Sequence, residues 1–301
     1  MSETKTEKAL VKPDEKMIAT LEKLKPQLRA ALPRSMDADR FSRVVLTEIR
    51  RNPKLLECNP QSFLGAVFTA AQIGLEIGGH LGEAFILPFN NRRKGTVEAT
   101  LVVGYKGLVK LMWESEQIAS LSEVVVHAKD TIEFTRGDTE AIKHVPYVPP
   151  VELLAKVVEG AKLTAAEKEA LDPGPAVAYY AIIEMKNGGR RRAFMWVSEV
   201  QQHREKYGRE GADSVWASNF DAMALKTVIR KAAKLAPRAV ERPSLQQAIA
   251  LDELAEAGVG QELMLPTEVQ QAIDGGSPAA AGLSLASFTA GAVVESKDDT
   301  K

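Results

Sequence analysis

Residues Ala176 to Val197 constrain the fold more tightly than any other stretch of the chain. AVAYYAIIEMK is followed by Asn187-Gly188-Gly189 and then by RRRAFMWV. Asn-Gly supplies the positive backbone angles of a tight turn, so the two runs must pair as an antiparallel hairpin. Alternation places Tyr180, Ile182 and Glu184 on one face and Tyr179, Ala181, Ile183 and Met185 on the other. Arg190, Arg191 and Arg192 open the return strand, so cations project from both faces near the tip.

Other segments carry the same kind of signal. Glu83–Phe89 and Thr96–Val103 read as strands around the turn Asn90-Asn91-Arg92-Arg93-Lys94-Gly95. The adjacent cations Arg92, Arg93 and Lys94 suit either a phosphate grip or a solvated loop. Leu121–His127 is β-branched and apolar, and Thr131–Thr135 and Ile142–Val145 flank the turn Arg136-Gly137-Asp138. Helices interleave with these strands. Asp37 is placed to cap one whose buried face is Phe41, Val44, Val45 and Ile49. Asn59-Pro60 opens a second, which Gly74 stops. Gly104-Tyr105-Lys106-Gly107 starts a third, with Lys106, Lys110 and Trp113 on one side. Ser198 caps a short helix through Arg204 and Lys206, and Pro146–Pro175 reads as a short helical insertion or a loop. The fold class is α+β, an antiparallel β-sheet with hairpins packed against helices. The expected divisions are an N-terminal arm (1–26), a core (27–248) and an acidic, largely disordered tail (249–301).

The formal net charge of −1 conceals a strong polarity. Lys186 to Arg242 holds thirteen Lys/Arg against six Asp/Glu, whereas Asp252 to Lys301 holds nine acids against two lysines. A basic core with an acidic tail points to nucleic acid or another polyanion. Within the basic stretch, Trp216–Pro237 reads as one helix with no breaker before Pro237. Leu225, Val228, Ile229 and Ala232 form its apolar stripe, and Lys226, Arg230 and Lys234 stack four apart with Lys231 beside them. Like charges at that spacing cost about 0.2–0.5 kcal/mol per pair, so the row suggests a surface awaiting an anion. Cys58 is the single cysteine, which excludes an internal disulfide. No run of about 18 apolar residues exists to span a bilayer. The charged N-terminus lacks an apolar signal core, which places the protein inside the cell.

Enzymatic readings find less support. Asp172, Glu184 and Lys186 imitate the Asp…Glu-x-Lys arrangement of Mg²⁺-dependent nucleases. Yet Lys186 sits at the lip of the Asn-Gly turn and Asp172 in a loop. His80, His127, His144 and His203 are scattered without ligand spacing, and Gly74, Gly78, Gly79 and Gly82 match no phosphate loop. No cofactor is implied; Mg²⁺ is possible, although no motif indicates it.

AALPRSMDADRF…VVLTEIRRNPKL, QIGLEIGGHLGEAFILPF, LVVGYKGLVKLMW…QIASLS and W…DAMALKTVIRKAAKLAP together resemble the RecT family of phage single-strand annealing recombinases. The resemblance covers roughly Leu28 to Ala248, leaving out Pro146–Pro175 and the last fifty residues. It implies a non-enzymatic protein of the bacterial host cytoplasm that coats single-stranded DNA and pairs complementary strands without ATP. It also implies a ring or helical filament, an exonuclease partner and annealed duplex as product; a host single-stranded DNA-binding protein is a further candidate partner. The family core is a β-sheet with helices, in which a hairpin and helices line a basic groove. Lys106 falls in the family's Gly-aromatic-basic-Gly motif, and Lys226, Arg230 and Lys231 in its final helix. The DNA-binding candidates are therefore Tyr105, Lys106, Lys110, Lys226, Arg230, Lys231 and Lys234, with Arg190, Arg191, Arg192, Arg92 and Arg93 at hairpin tips. A coating protein that does not anneal and the Asp172/Glu184/Lys186 nuclease are the alternatives.

Overall fold

Caps and turns set where the elements begin and end. The computed structural model describes residues 13–91, 94–207, 215–234, 244–267 and 269–270. In chain order these form α1 (Pro13–Lys23), α2 (Lys25–Ala31), α3 (Ala38–Arg51), α4 (Pro60–Ile73), β1 (Ala84–Asn91), β2 (Thr96–Val103) and α5 (Tyr105–Glu114). There follow β3 (Ile118–His127), β4 (Thr131–Thr135), β5 (Ala141–Val145), α6 (Val151–Val158), α7 (Ala165–Leu171), β6 (Ala176–Met185) and β7 (Arg190–Trp196). The remainder is α8 (Val197–Tyr207), α9 (Val215–Ser218), α10 (Phe220–Ala233) and α11 (Ser244–Glu256). The α+β class holds, with antiparallel strand pairs packed against helices. The described residues form two compact units, one made of those up to Lys110 and again from Ser244 on, the other of those between Leu111 and Pro243. Among the described residues no helix is long and apolar enough to cross a membrane.

The first unit is organised around α4. The Asn59 side chain accepts from the Gln61 and Ser62 backbone N–H groups and Gly74 closes the helix at φ 79°. Every residue from Phe63 to Ala71 is buried, as befits a helix apolar on all sides. It packs on β2, β1, α2 and α11. In α3 the Asp37 side chain accepts from Arg40 N, and Phe41, Val45 and Ile49 are buried; such a cap is worth about 1 kcal/mol.

The β1–β2 hairpin pairs Ala84 with Val103 through to Asn91 with Thr96. The outer edge of β2 is closed by groups outside any sheet. Asn59 N donates to Val97 O at 2.7 Å, and Ala99 N donates to Ser62 Oγ at 2.9 Å. The Gln261 amide then accepts from Leu101 N at 2.8 Å while donating to Leu101 O at 2.8 Å. Residues near the expected tail boundary at 249 instead belong to the packed body: Ile249, Leu251, Asp252, Gln261 and Val269 are all buried. An i, i+3, i+4 apolar pattern at Leu245, Ala248 and Ile249 carries the helix across that boundary, ahead of the acids that begin at Asp252. Likewise Met17, Leu21 and Leu24, in the expected arm, are buried.

In the second unit the strand order is β3-β6-β7. Tyr180 pairs with Val124 on one side and Phe194 on the other. The two faces of β6 part as the alternation requires. Ala178, Tyr180 and Phe194 join Val126 in a cluster covered by Ile132, Phe134 and Ile142 of the β4–β5 hairpin. On the opposite face Tyr179, Ala181, Ile183 and Met185 are buried, and α10 packs against β6, β7 and β3. The Tyr179 hydroxyl donates to the Asp221 carboxylate at 2.6 Å. The 146–175 stretch contains α6 and α7, in neither of which is any residue buried.

Candidate nucleic-acid interface

The Gly-Tyr-Lys-Gly segment is fixed by backbone-to-backbone contact. A Cβ on Gly104 would collide with the Gly82 carbonyl oxygen, and one on Gly107 with that of Glu83. Only glycine permits that approach. Gly104 N also donates to Glu83 O at 2.8 Å. The result is a rigid start to α5, from which Lys106 projects into solvent with Tyr105 half-buried beside it.

Lys110, one turn on, has a different role from the one its spacing suggests. Its ammonium lies 2.9 Å from Glu83 Oε2 and donates to Gly74 O at 2.9 Å. Glu83 is buried, at 8 % exposure, and its carboxylate also accepts from Glu76 N. Lys110 therefore neutralises an internal carboxylate and ties the end of α4 to β1. Arg92 and Arg93 lie outside the described residues.

The second group of cations departs further from expectation. Trp216–Pro237 does not form one helix: Asn219, at φ −142° and ψ 56°, separates α9 from α10. Its side chain donates to Ser218 Oγ at 2.9 Å. The stripe of Val228, Ile229 and Ala232 is buried as expected, but Lys226 and Arg230 are also buried, 8 % and 6 % exposed. The expected open row of cations is thus an enclosed one at these two positions. Arg230 Nη2 lies 3.4 Å from His203 Nε2, and His203 makes ring contacts with Tyr207 and Trp216. Spacing alone hid this, because α10 packs against β6, β7, β3 and α9, and Arg230 reaches His203 of α8. Lys231 and Lys234 are exposed. Leu235, Ala236, Pro237, Arg238 and Arg242 lie outside the described residues.

At the β6–β7 tip, Arg190 pairs with Glu184 at 2.8 Å, and Ser120 Oγ donates to the same carboxylate at 2.9 Å. Arg190 and Arg192 share the face of Phe194 and Trp196, while Arg191 takes the other. Arg191 is exposed and Arg192 half-buried.

The nuclease arrangement does not assemble. Asp172 precedes β6, on the side where Ala128 N donates to Pro175 O, whereas Glu184 lies near the other end of the strand. Eight residues separate Ala176 from Glu184, about 26 Å of strand at the usual rise. The Asp172 carboxylate accepts from Gly174 N at 2.8 Å, a turn-forming bond. Among the described residues no three His, Cys, Asp or Glu groups are disposed to hold a metal ion.

Two clusters escape sequence reasoning. Asp130, its side chain 4 % exposed, lies 3.1 Å from His144 Nε2, and accepts from His127 N and Tyr147 N at 2.7 Å each. His144 Nδ1 in turn lies 3.1 Å from the Tyr180 hydroxyl. Burial by itself pushes the Asp130 carboxyl up, but the two backbone N–H groups and His144 outweigh it and hold it below its ordinary range. Burial, then the Asp130 charge, pushes Tyr180 up. This network bolts the β4–β5 hairpin to the sheet, and no fixed spacing announces it. The second cluster is aromatic. Phe134 stacks on Phe194 at 4.4 Å, Phe194 meets Trp196 edge-on at 5.0 Å, and Arg136 lies 5.2 Å from the Phe134 ring centre. The i, i+2 run Arg192, Phe194, Trp196 is its sequence trace.

Comparison with known proteins fits this architecture. The sequence model of the RecT family matches residues 39–263. The chain is 34% identical over 232 residues to Protein RecT of Escherichia coli (strain K12), covering 76% of this chain and 77% of that protein. It is 25% identical over 193 residues to the Uncharacterized protein YqaK of Bacillus subtilis (strain 168), covering 64% of this chain and 57% of that protein. A match over this much of the sequence, from α3 to the segment that seals β2, makes the chain a member of the RecT family.

Proposed function

We propose that this protein binds single-stranded DNA and anneals complementary strands in homologous recombination, using neither nucleotide nor covalent catalysis. The observation that carries the reading is family membership across residues 39–263. The exposed cations supply its physics. Lys106 on the glycine-fixed start of α5, Lys231 on α10 and Lys234 at its C-cap, and Arg191 and Arg192 on β7 are the proposed phosphate contacts, with Tyr105 beside Lys106. Lys226 and Arg230, being enclosed, act in this reading by setting the potential around α10, and Lys110 by holding α5 in place.

A strand held by its phosphates leaves its base edges free to test a second strand. Cations that neutralise both backbones remove the repulsion that slows pairing. Each chain contacts few nucleotides, so useful affinity calls for many chains along one strand, and we propose an oligomer. A DNA-end-processing exonuclease that generates the single strand is the matching partner, and the cytoplasm of a bacterial cell the matching place.

The test is annealing of two labelled complementary oligonucleotides without nucleotide, comparing wild type with Lys106→Ala and Lys231→Ala/Lys234→Ala. Acceleration by wild type, weakened in both variants, is expected. Single-strand binding without acceleration would reduce the protein to a coating role, and absence of binding would remove the reading altogether.

A further inference from the structure

Trp196 ends β7 as a residue 45% exposed, although the neighbouring Phe194 is 1% exposed. It is not a loose surface aromatic. Its backbone N–H donates to the Glu199 carboxylate at 2.8 Å, which fixes the passage from β7 into α8. Its ring stands edge-on to Phe194, at 81° and 5.0 Å between centres. Phe194 is itself held by the parallel ring of Phe134, 17° from coplanar. Two packed aromatics thus brace an indole whose outward surface remains open.

Two arginines lie along this aromatic run. Arg192 lies on the same face of β7, two pleats back, half-buried and with no ion-pair partner among the described residues. Arg136 sits over the Phe134 ring at 5.2 Å and is exposed. β7 is an edge of its three-stranded sheet, so the neighbourhood is approachable from the side. A braced, exposed aromatic with arginines on the same face and the same aromatic cluster suits a single-stranded nucleic acid, which stacks a base and pairs its phosphates. Leaving so much indole in water also forgoes hydrophobic stabilisation that burial would supply.

We propose that Trp196 is a base-stacking platform for single-stranded DNA, with Arg192 and Arg136 engaging the flanking phosphates. The proposal rests on the single-strand-binding reading above and adds a contact to the base itself. Stacking uses the face of a base and leaves its pairing edge free, so the platform is compatible with annealing. It also orders the strand, holding one base in a defined orientation while a complementary strand arrives.

The experiment compares a fluorescent oligo-dT with an abasic strand of the same length, binding wild type, Trp196→Phe, Trp196→Leu and Arg192→Ala over a range of salt. Phe keeps a π-face and Leu keeps apolar bulk, so both fill the same space against Phe194 and differ in stacking. Trp196→Leu is expected to weaken oligo-dT binding about 5- to 100-fold, with Trp196→Phe close to wild type and the two equal on the abasic strand. Arg192→Ala is expected to weaken both strands and to reduce the salt slope by about 0.7. Wild-type affinity of Trp196→Leu for oligo-dT, or an equal loss on the abasic strand, would overturn the platform while leaving DNA binding intact. If wild type binds neither strand, the single-strand-binding reading fails with it.

Discussion

The Lys110 ammonium and the Glu83 carboxylate form an ion pair of 2.9 Å in which the acid is 11% exposed and the lysine 27%. Because Lys110 also bonds Gly74 O, this one side chain joins α4, β1 and α5. Lys110→Met leaves Glu83 with its Glu76 N–H partner alone, and removing a charged partner from a largely buried acid costs about 2–3 kcal/mol. Thermal or urea unfolding is expected to show that loss. The salt slope of single-strand binding is expected to stay as in wild type, since no phosphate contact is lost; a reduced slope would restore Lys110 to the interface.

Gly104 and Gly107 make a sharper structural prediction. Alanine at either position puts a methyl group into a carbonyl oxygen of the Gly82–Glu83 backbone, and the helix start must shift. Each substitution is expected to destabilise the protein by about 1–3 kcal/mol, the usual cost of overpacking. Lys106→Ala, by contrast, is expected to leave the melting temperature unchanged, so the motif's structural and binding roles separate by calorimetry.

Asp130 gives the pH dependence a definite sign. Its carboxyl is held below the ordinary range in the folded protein. The stability it contributes is therefore complete above about pH 4, the unfolded value, and is lost as pH falls through the lower folded value. Asp130→Asn presents an amide donor to the His127 N–H and the His144 ring, and is expected to cost about 2 kcal/mol at pH 7. Urea denaturation at falling pH is expected to show that gap between variant and wild type narrowing in acid. A gap constant down to pH 3 would contradict the assignment.

Lys231, in the last turn of α10, and Lys234, at its C-cap, are exposed. Their double alanine variant is expected to flatten the log–log salt dependence of single-strand binding by about 1.4, at 0.7 per phosphate contact. Titrations at several salt concentrations measure it directly, and an unchanged slope would take α10 out of the interface.

Sequence reading succeeds here where the signal is local. The Asn187-Gly188 turn, the Asp37 cap, Pro60 at a helix start and Gly74 at a helix end all lie where their chemistry places them. It fails where a third element decides exposure. Lys226 and Arg230 stand at the spacing of a solvated face, and enclosure comes from the packing around α10, which periodicity does not encode. Lys110 looks like a partner of Trp113 until Glu83, 27 residues earlier, is brought against it. Gln261 is more hidden still: an isolated glutamine in an acidic stretch gives no hint that it will bond the backbone of Leu101, 160 residues away.

That glutamine bears on the order in which the molecule is made. The second unit is a continuous piece of chain, so every part of it has been synthesised before Ser244 is added. The first unit is not: β2 keeps a raw edge at Leu101 until Gln261 emerges, and Gly65 lacks the backbone of Leu263 that lies against it. During synthesis the interior piece can mature while the outer one waits for its closing segment. A chain stopped at Pro243 would release a half-finished body with an adhesive strand, which makes the late residues a checkpoint on completeness as much as an extension of the fold.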